Sequence, residues 1–264
     1  MTKTKGLTTF DLKIIGIIFM FINHVHQMFY WTNVPEWMEW CGRPVATLFF
    51  FVSVIGFTHT RNKSKYLGRL LIGSWVMTLG TMLVTHFFSI GDMALQNNIF
   101  NDLFLGVLAM YGIDKLNQFR QTKNLSTLLL GLFCLIFPVL SYFVILSLIT
   151  VVPINMARFL FLIPSGMTAE NGMMIYLMPL MYLAKNKKAI QMLFIALASL
   201  FFLTRDPSAF MTTNTQWMMI FSLIPIFFFN GQKGRSMKSF FYVFYPAHIW
   251  ILFIISAIIY QHFG

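Results

Sequence analysis

Long apolar stretches alternate with short polar or basic intervals along the chain. The apolar stretches fall near residues 10–31, 43–60, 66–89, 98–114, 126–150, 168–184, 189–204, 216–230 and 239–261. Each approaches the length of about 20 residues that an α-helix needs to cross a hydrocarbon core of roughly 30 Å. In hydrocarbon every backbone N–H and C=O must find a partner, and a helix supplies those partners within its own segment. The pattern therefore predicts an all-α integral membrane protein, a polytopic bundle of about nine transmembrane helices. The apolar piece 154–164 is too short to cross and is expected to be re-entrant or interfacial. No internal repeat, low-complexity linker or water-soluble segment interrupts the pattern, so residues 1–264 read as one domain.

Composition strengthens this reading. Hydrophobic residues make up 58% of 264 positions and charged residues 10%, too few charges to cover a soluble surface. The first run ends in Phe29, Tyr30 and Trp31. That end resembles an interfacial aromatic belt and lacks a small-residue cleavage pattern, so the run reads as a retained anchor. With a cytoplasmic N-terminus, sixteen of the 19 basic residues lie inside: Lys3, Lys5, Lys13, Arg61, Lys63, Lys65, Arg69, Lys115, Arg120, Lys123, Lys185, Lys187, Lys188, Lys233, Arg235 and Lys238. Only Arg43, Arg158 and Arg205 fall on the outer side, a split that follows the positive-inside rule. The net charge of +11 is then a topology signal that suits a lipid bilayer with anionic head groups and needs no nucleic acid. Cys41 and Cys134 lie in or near different spans and suggest neither a disulfide framework nor a zinc site.

The few polar residues inside the apolar runs are the candidates for chemistry. His24 lies deep in the first run, eleven positions after Lys13, or about 16 Å along one helix face. Lys13, Gly16, Met20, Asn23, His24 and Gln27 share that face at spacings of three and four. An ionisable group at mid-membrane is costly and by default marks a substrate path, a proton path or a reactive centre. The plain alternative is a structural histidine bonded to a neighbouring helix. His248 follows Lys238 by ten residues, about 15 Å, which places it near the depth of His24. Pro246 should kink that helix, and Tyr245 and Tyr242 lie one and two turns below His248. Asp102 sits nearer an outer end, where pairing with Arg43 or a histidine and plain interfacial solvation both fit. The densest basic edge holds Arg61, Lys63, Lys65 and Arg69. It is what the positive-inside rule expects of a loop, and it also suits a phosphate-rich ligand such as coenzyme A. No glycine-rich nucleotide loop is present.

The same residues carry a family resemblance over nearly the whole chain. The pieces are DLKIIGIIFMFINH at the start, CGRPVATLFFFVSVIGFTHTRNKSKYLGRLL next, then NNIFNDLFLGVLAMYGIDK, and FFYVFYPAHIWIL near the end. In this order they resemble the TraX family, membrane proteins linked to N-terminal acetylation of conjugative pilin. More distantly they resemble the transmembrane acyltransferases that include the acyltransferase-3 proteins and the lysosomal heparan-glucosaminide acetyltransferase. Asn23 departs from the pattern where many relatives place an acidic residue. Segment 153–172 departs from their shorter outer loop and is a place where a different acceptor could be shaped.

The resemblance implies a multi-pass protein of the bacterial inner membrane that moves an acyl group, acetyl in the family's usage, from cytoplasmic acyl-CoA to an amine or hydroxyl of a peptide or glycan. Acetyl-CoA is the implied donor, and no metal is implied. On this expectation Arg61, Lys63, Lys65 and Arg69 hold the phosphates and the pantetheine arm passes Lys13. His24 serves as base or transient acyl carrier, while Asn23, Tyr245 or His248 supports the oxyanion. The acceptor enters past Arg43, Asp102 and Arg158. Two other classes stay open: a proton-coupled transporter using His24, Asp102 and His248, and a membrane partner protein without chemistry.

Overall fold

A computed structural model describes residues 5–236 and 238–263, leaving aside the side chains of Ile154, Asn155 and Lys238. Lys3, counted above with the inside basic residues, lies outside the described residues. The helices are α1 (Thr9–Met28), α2 (Trp37–Trp40), α3 (Arg43–Thr58), α4 (Lys63–Phe87), α5 (Ile99–Thr122), α6 (Leu125–Ile149), α7 (Ile154–Leu160), α8 (Leu177–Leu183), α9 (Lys188–Arg205), α10 (Leu223–Phe227) and α11 (Lys238–Phe263). Tighter 3₁₀ turns run through Gly172–Met174 and Gln216–Ser222. Among the described residues no strand forms, only an isolated parallel bridge between Leu7 and Phe229.

Six helices are long and apolar enough to cross a membrane: Thr9–Met28, Trp37–Thr58, Lys63–Phe87, Leu125–Ile149, Lys188–Arg205 and Ser239–Phe263. Two shorter apolar segments are Gly172–Leu183 and Gln216–Phe227. Helix α5 has ample length at 24 residues, but it carries Asp102, Asp114, Lys115 and Arg120. The helical membrane bundle expected from the pattern is therefore present. Two of the nine expected spans, 168–184 and 216–230, take a less regular form, and a third, α5, is a regular helix set apart by its charges.

The chain divides into two compact units. The first contains Met1–Val52, Val84–Ala94 and Asn186–Gly264, and the second contains Ser53–Leu83 and Leu95–Lys185.

In the first unit, α1 and α11 form a parallel pair. Its lower end is tied by a strap. Leu7 donates its N–H to the Phe228 carbonyl at 2.8 Å, Asn230 donates to Leu7 at 2.9 Å, and Thr9 donates to Gln232 at 2.9 Å. Gly234 closes the strap with φ 67°, and a Cβ there would run into Thr8 and sit 2.9 Å from Cβ of Phe10. Thr8 and Asp11 then cap α1 reciprocally: the Thr8 N–H donates to Oδ2 of Asp11 at 2.8 Å, and Oγ1 of Thr8 accepts from the Asp11 N–H at 3.3 Å. Higher up, Nζ of Lys13 lies 4.8 Å above the Phe241 ring. At the far end Oγ of Ser256 accepts from the Trp31 indole at 3.0 Å and donates to the Met28 carbonyl at 2.6 Å. Trp31 also meets Tyr260 edge-on, with centroids 5.3 Å apart.

The partners rise together, from 13 with 241 to 31 with 260, so α1 and α11 run in the same direction. Two parallel spans require an odd number of crossings between them. The four other long apolar helices give an even number. An odd number of crossings among α5, 172–183 and 216–227 would meet that requirement, and all three would give the nine expected from the pattern.

In the second unit α5 and α6 pack so closely that a Cβ on Gly112 would lie 2.7 Å from the Gly131 carbonyl oxygen. Lys123 ends α5 in the left-handed region at φ 55°, and Asn124 caps α6 through the Ser126 N–H at 2.9 Å.

Candidate functional site: a buried histidine pair

The buried stripe of α1 is Leu12, Gly16, Met20, His24 and Met28, every fourth residue, the spacing that stacks side chains on one face. His24 is 3% exposed and His248 5%. Their rings touch: Nδ1 of His24 lies 2.8 Å from Nε2 of His248. The rings are nearly parallel at 22°, with centroids 5.0 Å apart. Nδ1 of His248 lies 2.7 Å from the Phe244 carbonyl oxygen, one turn earlier in α11. Phe244 stacks on His248 at 4.7 Å and 14°. Tyr245, buried at 5%, presents its ring edge-on to both histidines at 6.3 and 5.9 Å.

An imidazole pair in an apolar wall offers proton transfer and nucleophilic chemistry. Each ring is fixed by packing and by a hydrogen bond. His24 and His248 are also the kind of side chains that ligate metals, but among the described residues no three His, Cys, Asp or Glu side chains group to hold one.

Asn23 points to a different neighbour. Its carboxamide fills the space where a Cβ on Gly42 would stand, so Gly42 is the residue that lets this corner close. Arg43 pairs with Glu39, one turn before it, and reaches Oε1 of Gln216 at 3.5 Å. Lys13 keeps its ammonium against the Phe241 ring.

The remaining expected site residues belong to the second unit. Asp102 is fully buried, and its carboxylate accepts from the Glu170 N–H at 3.0 Å, the Asn171 N–H at 2.9 Å and the Asn171 side-chain amide at 3.0 Å. Its neighbour Asn101 donates to the Ser165 carbonyl and to Oγ1 of Thr168, both at 3.1 Å. The start of α5 thus clamps part of segment 153–172. Lys63 pairs with Asp114, whose other oxygen accepts from the Tyr182 hydroxyl at 2.6 Å. Lys63 and Lys185 each reach that hydroxyl at 3.4 Å. Arg61, Lys65 and Arg69 are exposed, with the Arg69 guanidinium 5.8 Å from the Tyr66 ring centre. Arg158 is exposed on α7, beside Phe159.

Two features escaped the sequence reading. One is the Phe244 carbonyl that holds His248, which the helical spacing of 244 and 248 could have suggested. The other is Asp114, an acid at the end of the apolar run 98–114 and the partner of Lys63.

Comparison with known proteins places this geometry. The family model described as TraX protein matches residues 9–256. The chain belongs to the TraX family. Both histidines, with Phe244 and Tyr245 beside them, lie within the matched span. A TraX-like relative from Dichelobacter nodosus is 28% identical over 268 residues, which cover 96% of this chain and 97% of the relative. It is named probable fimbrial assembly protein FimC, serogroup H1. No solved structure matches the chain.

Proposed function

We propose that this TraX-family protein is a membrane acyltransferase that moves an acetyl group from acetyl-CoA to the N-terminal amine of a fimbrial or pilin subunit. The observation that carries the reading is the buried contact of 2.8 Å between His24 and His248. General base or nucleophilic catalysis needs a neutral imidazole fixed in place and shielded from water, and this pair meets both needs. TraX membership supports acetyl transfer, and the name of the Dichelobacter nodosus relative supports a fimbrial acceptor.

In this reading the amine nitrogen attacks the thioester carbonyl and gives its proton to His24. The C–S bond breaks and the coenzyme A thiolate leaves with the electron pair. The Tyr245 hydroxyl is assigned to the oxyanion. The exposed cations Arg61, Lys65 and Arg69 are assigned to the donor's phosphates. Lys63 is left out because Asp114 and Tyr182 engage its ammonium. Arg43 and Arg158 are assigned to the acceptor side, and Asp102 to shaping the 164–172 segment. The positive-inside split assigns a cytoplasmic N-terminus and a bacterial inner-membrane location.

The test uses purified protein in detergent with acetyl-CoA and two synthetic peptides that copy a pilin N-terminus, one free and one formylated. Acetylation of the free peptide alone is expected. A hydroxyl acceptor would show as equal modification of both peptides. No acetylation of either, together with proton flux into liposomes lacking acetyl-CoA, would favour a transporter.

A further inference from the structure

We propose that His248 is a positioning residue that holds His24 in its Nδ1–H tautomer, so that Nε2 of His24 is the nitrogen that takes the acceptor's proton. The inference rests on the acyl-transfer reading above and adds to it which ring nitrogen reacts and why.

The argument starts at the Phe244 carbonyl. A carbonyl oxygen only accepts, so Nδ1 of His248, at 2.7 Å, carries hydrogen. A neutral imidazole has one N–H, so Nε2 of His248 is an acceptor. The atom facing it at 2.8 Å is Nδ1 of His24, which must therefore donate. Nε2 of His24 is then the lone-pair nitrogen. The tautomer of one histidine is set by the bond that the other makes, and the chain of bonds begins at a backbone atom that cannot change role. Pro246, between Phe244 and His248, has no backbone N–H to donate within that turn of α11.

The same chain gives the proton a resting place. When the attacking amine passes its proton to Nε2 of His24, the Nδ1 proton of His24 moves to Nε2 of His248. His248 then holds the positive charge, with its Nδ1–H still bonded to the Phe244 carbonyl, and His24 is neutral with hydrogen on Nε2. The sequence reverses when the leaving thiolate recovers a proton. Every proton is accounted for, and no further reactant is needed.

The tautomer is directly observable. We would record 15N solid-state NMR spectra of the full chain in lipid bilayers at about pH 8, above the ordinary imidazole value of about 6.5. The expected wild-type spectrum shows His24 with hydrogen on Nδ1 and none on Nε2. His248→Phe keeps a flat ring against Phe244 but accepts nothing. In that variant His24 should gain the Nε2–H form, and kcat should fall about 10- to 100-fold, as when a group that orients an active histidine is lost. KM for acetyl-CoA should stay within about twofold, because the donor's phosphates do not touch this pair. His248→Gln restores an acceptor oxygen near the same place and should recover the Nδ1–H form of His24 and much of kcat. A wild-type His24 bearing hydrogen on Nε2 would overturn the proposal, as would a His248→Phe variant with unchanged tautomer and kcat. Absence of acyl transfer in the wild type would instead sink the acyltransferase reading, and the spectra would still decide the tautomer.

Discussion

The two units each bury polar groups and use them differently. In the second unit the Asp102 carboxylate receives three N–H donors, and Asp114 is engaged by Lys63 and the Tyr182 hydroxyl. Their bonding capacity is spent on holding a loop and joining helix ends. In the first unit the two histidines are joined to each other and, through His248, to the Phe244 carbonyl, and the tautomer proposed above makes Nε2 of His24 the basic nitrogen. Burial of an ionisable group in a membrane bundle is costly in both places. On the reading proposed above, what separates an anchor from a reactive centre is whether the buried group can still exchange a proton.

The sharpest way to break this comparison is to remove one group from each side. His24→Ala should lower acetyl transfer about 10²- to 10⁴-fold, the usual contribution of a positioned acid–base group. Its thermal unfolding in detergent should stay close to that of the wild type. Asp102→Ala should do the reverse. It strands the donors from Glu170 and Asn171 and should lower stability by about 1–3 kcal/mol, read as an earlier thermal transition, with kcat of the folded fraction retained. Equal losses of stability in the two variants would erase the distinction.

Smaller effects sharpen it. Lys63→Met breaks a pair whose side chains are 28% and 23% exposed, and it should cost about 1 kcal/mol of stability. It should leave KM for acetyl-CoA alone. Arg69→Ala should leave stability alone and raise that KM up to about fivefold, the scale of one exposed ion pair. A Lys63→Met variant with the larger KM effect would return Lys63 to the donor's phosphates.

Much of this arrangement was legible in the sequence. Runs 43–60, 126–150 and 189–204 became α3, α6 and α9 with boundaries shifted by one or two residues, because a long apolar run in lipid has no other way to satisfy its backbone. The approach of His24 and His248 was legible too, by counting from basic anchors along helices of fixed rise. Run 168–184 became a 3₁₀ turn followed by α8, and run 216–230 became a 3₁₀ stretch followed by α10. In both, the third residue of the short α-helix is proline, Pro179 and Pro225. Proline fits a first turn and not an interior, so the chain before it tightens instead of continuing the helix. Those prolines were the available signal, while Pro138 and Pro246 stand inside long helices that tolerate them. The strap from Leu7 to Asn230 and the bonds from Asp102 to residues 170 and 171 left no mark in any periodicity. They join distant positions largely through backbone groups, which carry no sequence signal: N–H to carbonyl in the strap, and N–H to the Asp102 carboxylate in the loop.

The central claim is that the histidine pair performs acyl transfer. Its most direct test is the release of free thiol from acetyl-CoA by the purified wild type, with and without a free N-terminal peptide, beside His24→Ala of equal thermal stability. The account predicts thiol release that rises with the peptide, matches the acetylated peptide formed, and is nearly absent in His24→Ala. Equal thiol release by wild type and variant, or none from a folded wild type given its peptide, would contradict it.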